Sequence, residues 1–393
     1  MGKGLFLFCV FLCCAFNQIQ ASVKQKICLN MIVKNESQVI ERCLASVKPY
    51  IDYWVIVDTG STDGTQEIIR KYMKDLPGEL YERPWVNFAH NRNEALQFAK
   101  NKGDYLLFID ADEELKFNEN FSWPFLDKDS YVFRLLFNDF SYTRTQLVNN
   151  HLDWKWKGAV HEIIESDQAK TVDELEGVIN FVRREGCRSQ DKEAFAKDVK
   201  ILEEILAAEP QNSRYVFYLA QSYNNVKNHS KALEMFQKRA GMGGCDQEVF
   251  FAKYAIGKMQ EFLNFDTETI TKSYCDAYVF RPIRAEPLYR LARLYRERGN
   301  HFLGYVFSSL GLTLSIPKTE GMLVEPWIYD YGLFSEFYVC AYALGKYDEC
   351  LKAFDRVLSN SRISPDIRKC IEDDRKTFLA SLPIPLDLRQ ERY

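Results

Sequence analysis

The sequence predicts an α/β domain with a Rossmann-like, mostly parallel sheet, followed by an all-α domain of helical repeats. Three observations predict it. The runs Tyr53 to Val57 and Tyr105 to Ile109 are largely apolar and end abruptly in acidic residues, Asp58 and Asp110-Ala111-Asp112-Glu113. Unbroken apolar runs of about five residues are how strands buried on both faces of a parallel sheet read. Strand-like and helix-like segments also alternate up to Asp112, the pattern of a sheet covered by helices. From about Ser189 onward strand patterns give way to recurring helical pairs.

Ile27 to Val33 is the first expected strand, and Val39, Ile40, Cys43, Leu44 and Val47 give helical spacing over Glu36 to Val47. After the strand Tyr53 to Val57, Thr62 is the expected N-cap of a helix through Gln66, Ile68, Ile69 and Tyr72, with Asp63 favourable at its positive end. A short strand near Glu79 to Arg83 leads to a helix from about Phe88 to Lys100. Gly103 breaks it, and Asp104 to Ile109 is the next strand. Tyr131 to Phe137 and Val160 to Ile164 read as further strands, with irregular sequence between them. The polar stretch Arg183 to Asp191 contains Gly186 and marks a boundary, giving an α/β domain over 26–185 and a helical domain over 190–393. In the latter, Leu219, Ala220, Tyr223, Ala232 and Phe236 fall at tetratricopeptide spacing. Leu291, Ala292, Tyr295 and Gly299 repeat the first half, with Tyr295 72 residues after Tyr223. Gly345, Cys350 and Phe354 resemble another second helix, and Pro210, Pro282 and Pro317 lie 72 and 35 apart. Stacked helical pairs follow.

Hydrophobic residues make up 47% and charged residues 27% of the 393, which is a globular composition. A net charge of -4 gives no global basic field, so nucleic acid is not an expected partner. Lys3, the apolar run Gly4 to Phe16 and the small Ala21 read as a signal peptide or anchor over residues 1–21. The expected location is therefore secreted or membrane-associated, or the cytoplasm if the leader does not act. Of 11 cysteines, eight lie beyond the leader and form no Cys-x-x-Cys pair there, which excludes a zinc ribbon. They are expected to be buried thiols.

Ligands of parallel sheets bind beyond the carboxyl ends of the strands, so both acidic clusters are expected at a ligand rim. Asp110 and Asp112, spaced i, i+2, can face the same way. Hard oxygen donors suit Mg²⁺ or Mn²⁺, and such an ion neutralises a departing diphosphate. Asp58, with Thr59, is placed to accept from a base or ribose, or else to shape the Asp-Thr-Gly-Ser-Thr-Asp-Gly turn. Arg92 and Asn93 open the third helix, where a guanidinium can reach phosphate or base. In Trp154-Lys-Trp156-Lys-Gly158-Ala-Val-His161-Glu162, His161 is either a third metal ligand or a diphosphate contact, and Glu162 is a candidate general base. Trp154 and Trp156 are either a wall for a sugar ring or packing.

Met31-Ile-Val-Lys34-Asn35-Glu36, Asp58 to Thr65, Phe88-Ala-His-Asn-Arg92-Asn93-Glu-Ala and Phe108-Ile-Asp110-Ala-Asp112-Glu113, in this order, resemble a family 2 glycosyltransferase of the GT-A fold. Arg214 to Tyr223 and Arg284-Ala-Glu286-Pro287-Leu-Tyr289 resemble the tetratricopeptide extension of one branch, which includes bacteriocin S-glycosyltransferases. The resemblance implies transfer from a nucleoside diphosphate sugar to an acceptor, with a peptide or protein as one candidate, and inversion at the anomeric carbon. It also implies a divalent cation, Mn²⁺ or Mg²⁺. By it, Asp58 contacts the base, Arg92 holds the nucleotide, Asp110 lies near the ribose or the metal, Asp112 ligates the metal, and His161 and Glu162 match a His-Glu pair. The repeat array is expected to bind such an acceptor or to mediate a homodimer. A helical adaptor with a degenerate catalytic fold is the alternative.

Overall fold

The computed structural model describes residues 24–137, 140–158, 160–317 and 322–382. The leader read at 1–21 lies outside them. Among the described residues no helix is long and apolar enough to cross a membrane.

The first part alternates as expected: β1 (Ile27–Val33), α1 (Ile40–Val47), β2 (Tyr53–Asp58), α2 (Thr65–Tyr72), β3 (Gly78–Glu82), α3 (Phe88–Ala99) and β4 (Tyr105–Phe108). It continues with strands: β5 (Glu113–Phe117), β6 (Ser130–Phe137), β7 (Phe140–Asn149), β8 (Lys155–Lys157), β9 (Ile163–Glu165) and β10 (Val172–Val182). Eight of these make one sheet in the order β3-β2-β1-β4-β7-β6-β10-β5, while β8 and β9 form a separate ribbon. From β3 to β4 the sheet is parallel, and beyond β4 it is mixed. All of β4 and six of seven residues of β1 are buried, which explains their unbroken apolar runs.

Three local expectations change. The first helix starts at Ile40, because the Glu36 carbonyl accepts from Val39 and Ile40 in a preceding turn. The second starts at Thr65, after Gly64 at φ +89°, and Asp63 rather than Thr62 binds its first amide, at 3.1 Å. The segment Val160 to Ile164 is not one strand, since His161 sits at φ +52° and β9 begins only at Ile163.

After Val182 the described elements are helical: α4 (Cys187–Gln190), α5 (Ala194–Ala208), α6 (Ser213–Asn225), α7 (His229–Gly241), α8 (Asp246–Phe262), α9 (Thr267–Phe280), α10 (Glu286–Glu297), α11 (His301–Gly311), α12 (Leu333–Ala343), α13 (Tyr347–Leu358) and α14 (Pro365–Ala380). From α6 to α14 each helix packs on the one before it. Small residues set the approach: a Cβ on Gly257 would come within 2.6 Å of the Tyr274 ring, so α8 and α9 touch there because Gly257 has none. The helices also meet the sheet, where Ser141 and Val324 exchange backbone hydrogen bonds at 2.8 and 3.0 Å. Four of the eight cysteines are buried, but Cys187, Cys245 and Cys370 are exposed, which corrects the expectation of buried thiols for them.

Candidate active site

Asp58 ends β2 and lies beside Val33 of β1, while β4 runs parallel on the other side of β1. The two acidic clusters therefore reach the same edge, the carboxyl ends of the parallel strands. Asp58 is fully buried. Its Oδ1 accepts from the amides of Gly60 and Ser61 at 2.9 and 2.8 Å and from Gln66 Nε2 at 3.1 Å. Its Oδ2 is buried with no partner among the described residues, and such an acceptor calls for an explanation. One oxygen shapes the turn, and the other is engaged by no described residue. Thr59 instead ties β2 to β1, because its hydroxyl and amide both donate to the Val33 carbonyl, at 3.0 and 2.9 Å.

The second cluster is organised by arginines. Arg92 Nη2 donates to Asp110 Oδ1 at 2.6 Å and its Nε to Glu162 Oε1 at 2.7 Å, and the guanidinium lies 4.9 Å from the centre of the Trp156 ring. Arg144 of β7 reaches Asp110 Oδ2 at 3.2 Å and Glu113 at 2.5 Å. Burial works against ionisation of Asp110, but the two guanidiniums outweigh it and hold the carboxyl at about 2. Glu113, 2% exposed, also accepts from Asn180 at 2.8 Å and from the Asp110 amide at 3.1 Å. Sequence reasoning places Glu113 in the acidic cluster at the rim but misses Arg144, because the segment that forms β7 reads as irregular. The alternation Tyr142, Arg144, Gln146 against Thr143, Thr145, Leu147 is the available signal.

Asp112 is differently placed. Its Oδ2 accepts from the Gly186 amide at 3.1 Å and Ser189 Oγ at 3.4 Å, and its Oδ1 makes no hydrogen bond to another described residue. Burial and the nearby Asp110 raise its pKa. Glu36 faces the same point: a Cβ on Gly186 would lie 3.0 Å from Glu36 Oε2 and 3.1 Å from Asp112 Oδ2. Burial, then the charges of Asp112, Asp110 and Asp63, push the Glu36 carboxyl up to about 7, against the opposing Cys187 amide. The donor set fits a divalent cation. Mg²⁺ and Mn²⁺ take oxygen ligands, and Mg²⁺ sites use one or two carboxylates completed by substrate phosphates. No group of three or more metal-binding side chains occurs among the described residues.

The raised Glu36 pKa has a stability consequence. The folded chain holds a proton that the unfolded chain releases above 4.5, so stability is lost as pH rises from there through about 7. Glu36→Gln is expected to raise the melting temperature of the metal-free protein by about 2 °C at pH 8 and to leave it unchanged near pH 4. Melting scans from pH 4 to pH 8 check this, and a gain that is equal at both ends would refute it.

His161 and Glu162 sit between β8 and β9. The His161 ring stacks on Tyr218 of α6 at 4.0 Å and 8°. Arg214 donates to the His161 carbonyl at 3.0 Å. Enclosure pushes the imidazole pKa down; Asp198 opposes, and the guanidiniums of Arg188, Arg214 and Arg184 add to it. Water reaches the ring, so the effect is a preference for the neutral form. Asn93 ties α3 to the ribbon: its carboxamide exchanges hydrogen bonds with the Trp156 main chain, both at 2.9 Å. Trp156, 8% exposed against Phe108, is packing. The structure thus unites Arg92, Asp110 and Glu162, sets Asp112 at the same strand end, leaves Asp58 across β1, and turns His161 toward the helices.

Residues 28–119 match the family model for Glycosyl transferase family 2. The chain is 26% identical over 226 residues to the SPbeta prophage-derived glycosyltransferase SunS of Bacillus subtilis, covering 53% of this chain and 51% of that one. It is 40% identical over 91 residues to a TPR repeat-containing protein of Synechococcus elongatus, covering 23% and 21%. An uncharacterized glycosyltransferase of Rickettsia conorii is 35% identical over 112 residues, covering 28% and 36%. The chain spans about half or less of the length of these relatives. Among solved structures, MamA is similar over 48% of this chain and 95% of its own, at 15% identity and a TM-score of 0.36, a likeness too low to carry an argument. Residues 28–119 are a family 2 glycosyl transferase domain, homologous to SunS, and they bear the Asp58, Arg92 and Asp110–Asp112 edge.

Proposed function

We propose that the chain is a glycosyltransferase that moves a sugar, with inversion, from a nucleoside diphosphate sugar to a peptide or protein acceptor. The observation that carries this reading is the meeting, at the carboxyl edge of the family 2 domain, of Asp112 with an unengaged carboxylate oxygen and the Arg92–Glu162 pair. Asp58 Oδ2, without a partner among the described residues, accepts a hydrogen bond from the donor's base. Asp112 would hold a divalent cation, Mn²⁺ or Mg²⁺, which when bound neutralises charge on the leaving diphosphate. Glu162 keeps Oε1 on Arg92, and its Oε2 makes no hydrogen bond to another described residue. That oxygen takes the acceptor's proton as the acceptor atom bonds to the anomeric carbon and the bond to the diphosphate oxygen breaks. The leader, in this reading, directs the chain to a membrane or beyond it.

The test is donor hydrolysis and transfer across UDP-, GDP- and CDP-sugars, with Mn²⁺ and with chelator. Turnover of at least one donor that chelation removes is expected. Calorimetry showing that the intact chain binds none of the free nucleoside diphosphates with Mn²⁺ would overturn the reading.

A further inference from the structure

The loop between β8 and β9 turns through two residues at positive φ, a glycine that adopts it freely and a histidine that adopts it less readily. Gly158 sits at φ +110° and His161 at φ +52°. A residue with a side chain in the left-handed region persists where its surroundings fix it. Glu162 is fixed from the sheet side by Arg92 at 2.7 Å. Three further anchors come from the helices.

Val160 is 2% exposed, and its buried cluster is otherwise built from helical residues, among them Leu202 of α5, Leu219 and Ala220 of α6 and Phe236 of α7. It enters the core of the first helical pair as a plug. The His161 ring lies flat on Tyr218, and Arg214 both donates to the His161 carbonyl and lies 4.9 Å from the centre of the Tyr218 ring. Arg214 and Tyr218 are i, i+4 on α6 and share one face. Asn212 caps that helix by accepting from the Tyr215 amide at 3.2 Å, so the face is presented from a fixed end. The Tyr215 hydroxyl lies 3.7 Å from where a Gly158 Cβ would stand.

We propose that the first helical pair is a working part of the active site: Val160 anchors the loop in its core, and Arg214 and Tyr218 are positioning residues that set Glu162 against Arg92. The catalytic half of this inference rests on the transferase reading above; the seating of the loop does not. A displacement of about 1 Å at a reacting group costs roughly a hundredfold in rate, so a loop held by α6 makes the helices necessary for turnover without touching substrate.

The experiment compares Tyr218→Leu, Arg214→Gln and Tyr218→Phe in the full chain. Hydrogen–deuterium exchange of residues 158–165 needs no ligand. It is expected to quicken about tenfold or more in the first two variants and to return to the parent rate in Tyr218→Phe, which keeps the stacked ring. For whichever of UDP, GDP and CDP the parent binds with Mn²⁺, Kd is expected to stay within about twofold, because Asp58 and Asp112 lie outside the seat. Turnover of the parent's donor is expected to fall about tenfold to a hundredfold in kcat with KM held, and Tyr218→Phe is expected to rescue it. Parent-like exchange in a folded Tyr218→Leu protein overturns the seat. Faster exchange with unchanged kcat overturns the positioning role, as does a parallel loss of nucleotide binding. A parent that turns over no donor overturns the transferase reading, while exchange still decides the seat.

Discussion

Asp112→Ala is expected to reduce Mn²⁺-dependent donor turnover by about 10²–10³-fold or more, the range for removing a group that stabilises transition-state charge, without lowering the melting temperature. The two halves of this result come from the same environment. Asp112 is half-buried beside Asp110 and Glu36, and its pKa is raised, so the metal-free fold gains little from its charge. Alanine removes like-charge repulsion, and the Gly186 amide loses one acceptor at 3.1 Å at an edge that water can reach. What is lost is the carboxylate whose Oδ1 no other described residue engages. Asp110 cannot substitute for it, because both of its oxygens are bound by guanidiniums. Steady-state hydrolysis over a Mn²⁺ titration, with melting curves alongside, separates the outcomes. Undiminished turnover in the variant would remove Asp112 from the cation site.

How much of this is legible in the sequence follows from where each signal resides. Buried parallel strands announce themselves, since β1 and β4 are covered on both faces and need apolar residues at nearly every position. Asp58 and Asp110 can therefore be placed at the strand ends without any knowledge of distance. The mixed half of the sheet is not legible. In β10, Gly177 at φ +84° sits within a register shift between Glu174 and Ile179, and the bulge breaks the alternation that a strand reading depends on. Cross-element engagements are also invisible. Thr59 and Asn93 have the chemistry of ligand contacts, but both bind main-chain groups, and only the fold shows which partner arrives first. The seat of His161 joins residues 53 or more positions apart, Arg214 to the His161 carbonyl, through a loop whose positive φ no local pattern marks. The helical pairs are readable because Leu219, Ala220 and Tyr223 pack at a spacing fixed by the two-helix unit itself.

Arg92→Met is expected to destabilise the chain by about 3–5 kcal/mol near pH 7 and to abolish turnover, the larger stability effect of the two substitutions. The Arg92 side chain is 11% exposed and joins Asp110 to Glu162, whose side chain is also 11% exposed. Methionine keeps the aliphatic contact with Trp156 but leaves Glu162 without its ion-pair partner and Asp110 with Arg144 alone. The pH dependence has a definite sign. Asp110, at about 2 in the parent, loses one of its two guanidinium partners, so burial regains weight and its pKa rises. A carboxyl with a depressed folded pKa contributes stability above its unfolded value, and that contribution disappears as pH falls through the folded one. The parent therefore has an advantage at neutral pH that it progressively loses in acid, whereas the variant, with Asp110 more readily protonated, loses less. The gap between the two melting temperatures should narrow from pH 7 toward pH 3. Arg92→Lys should not close the gap at neutral pH, because one ammonium cannot reproduce a fork that binds two carboxylates through separate nitrogens. Denaturant melts at pH 7, 5 and 3 for the parent and both variants measure each contribution. A pH-independent gap would mean that Arg92 acts through packing on Trp156, and full recovery by lysine would mean that charge alone, without the bridge, holds Glu162 in place.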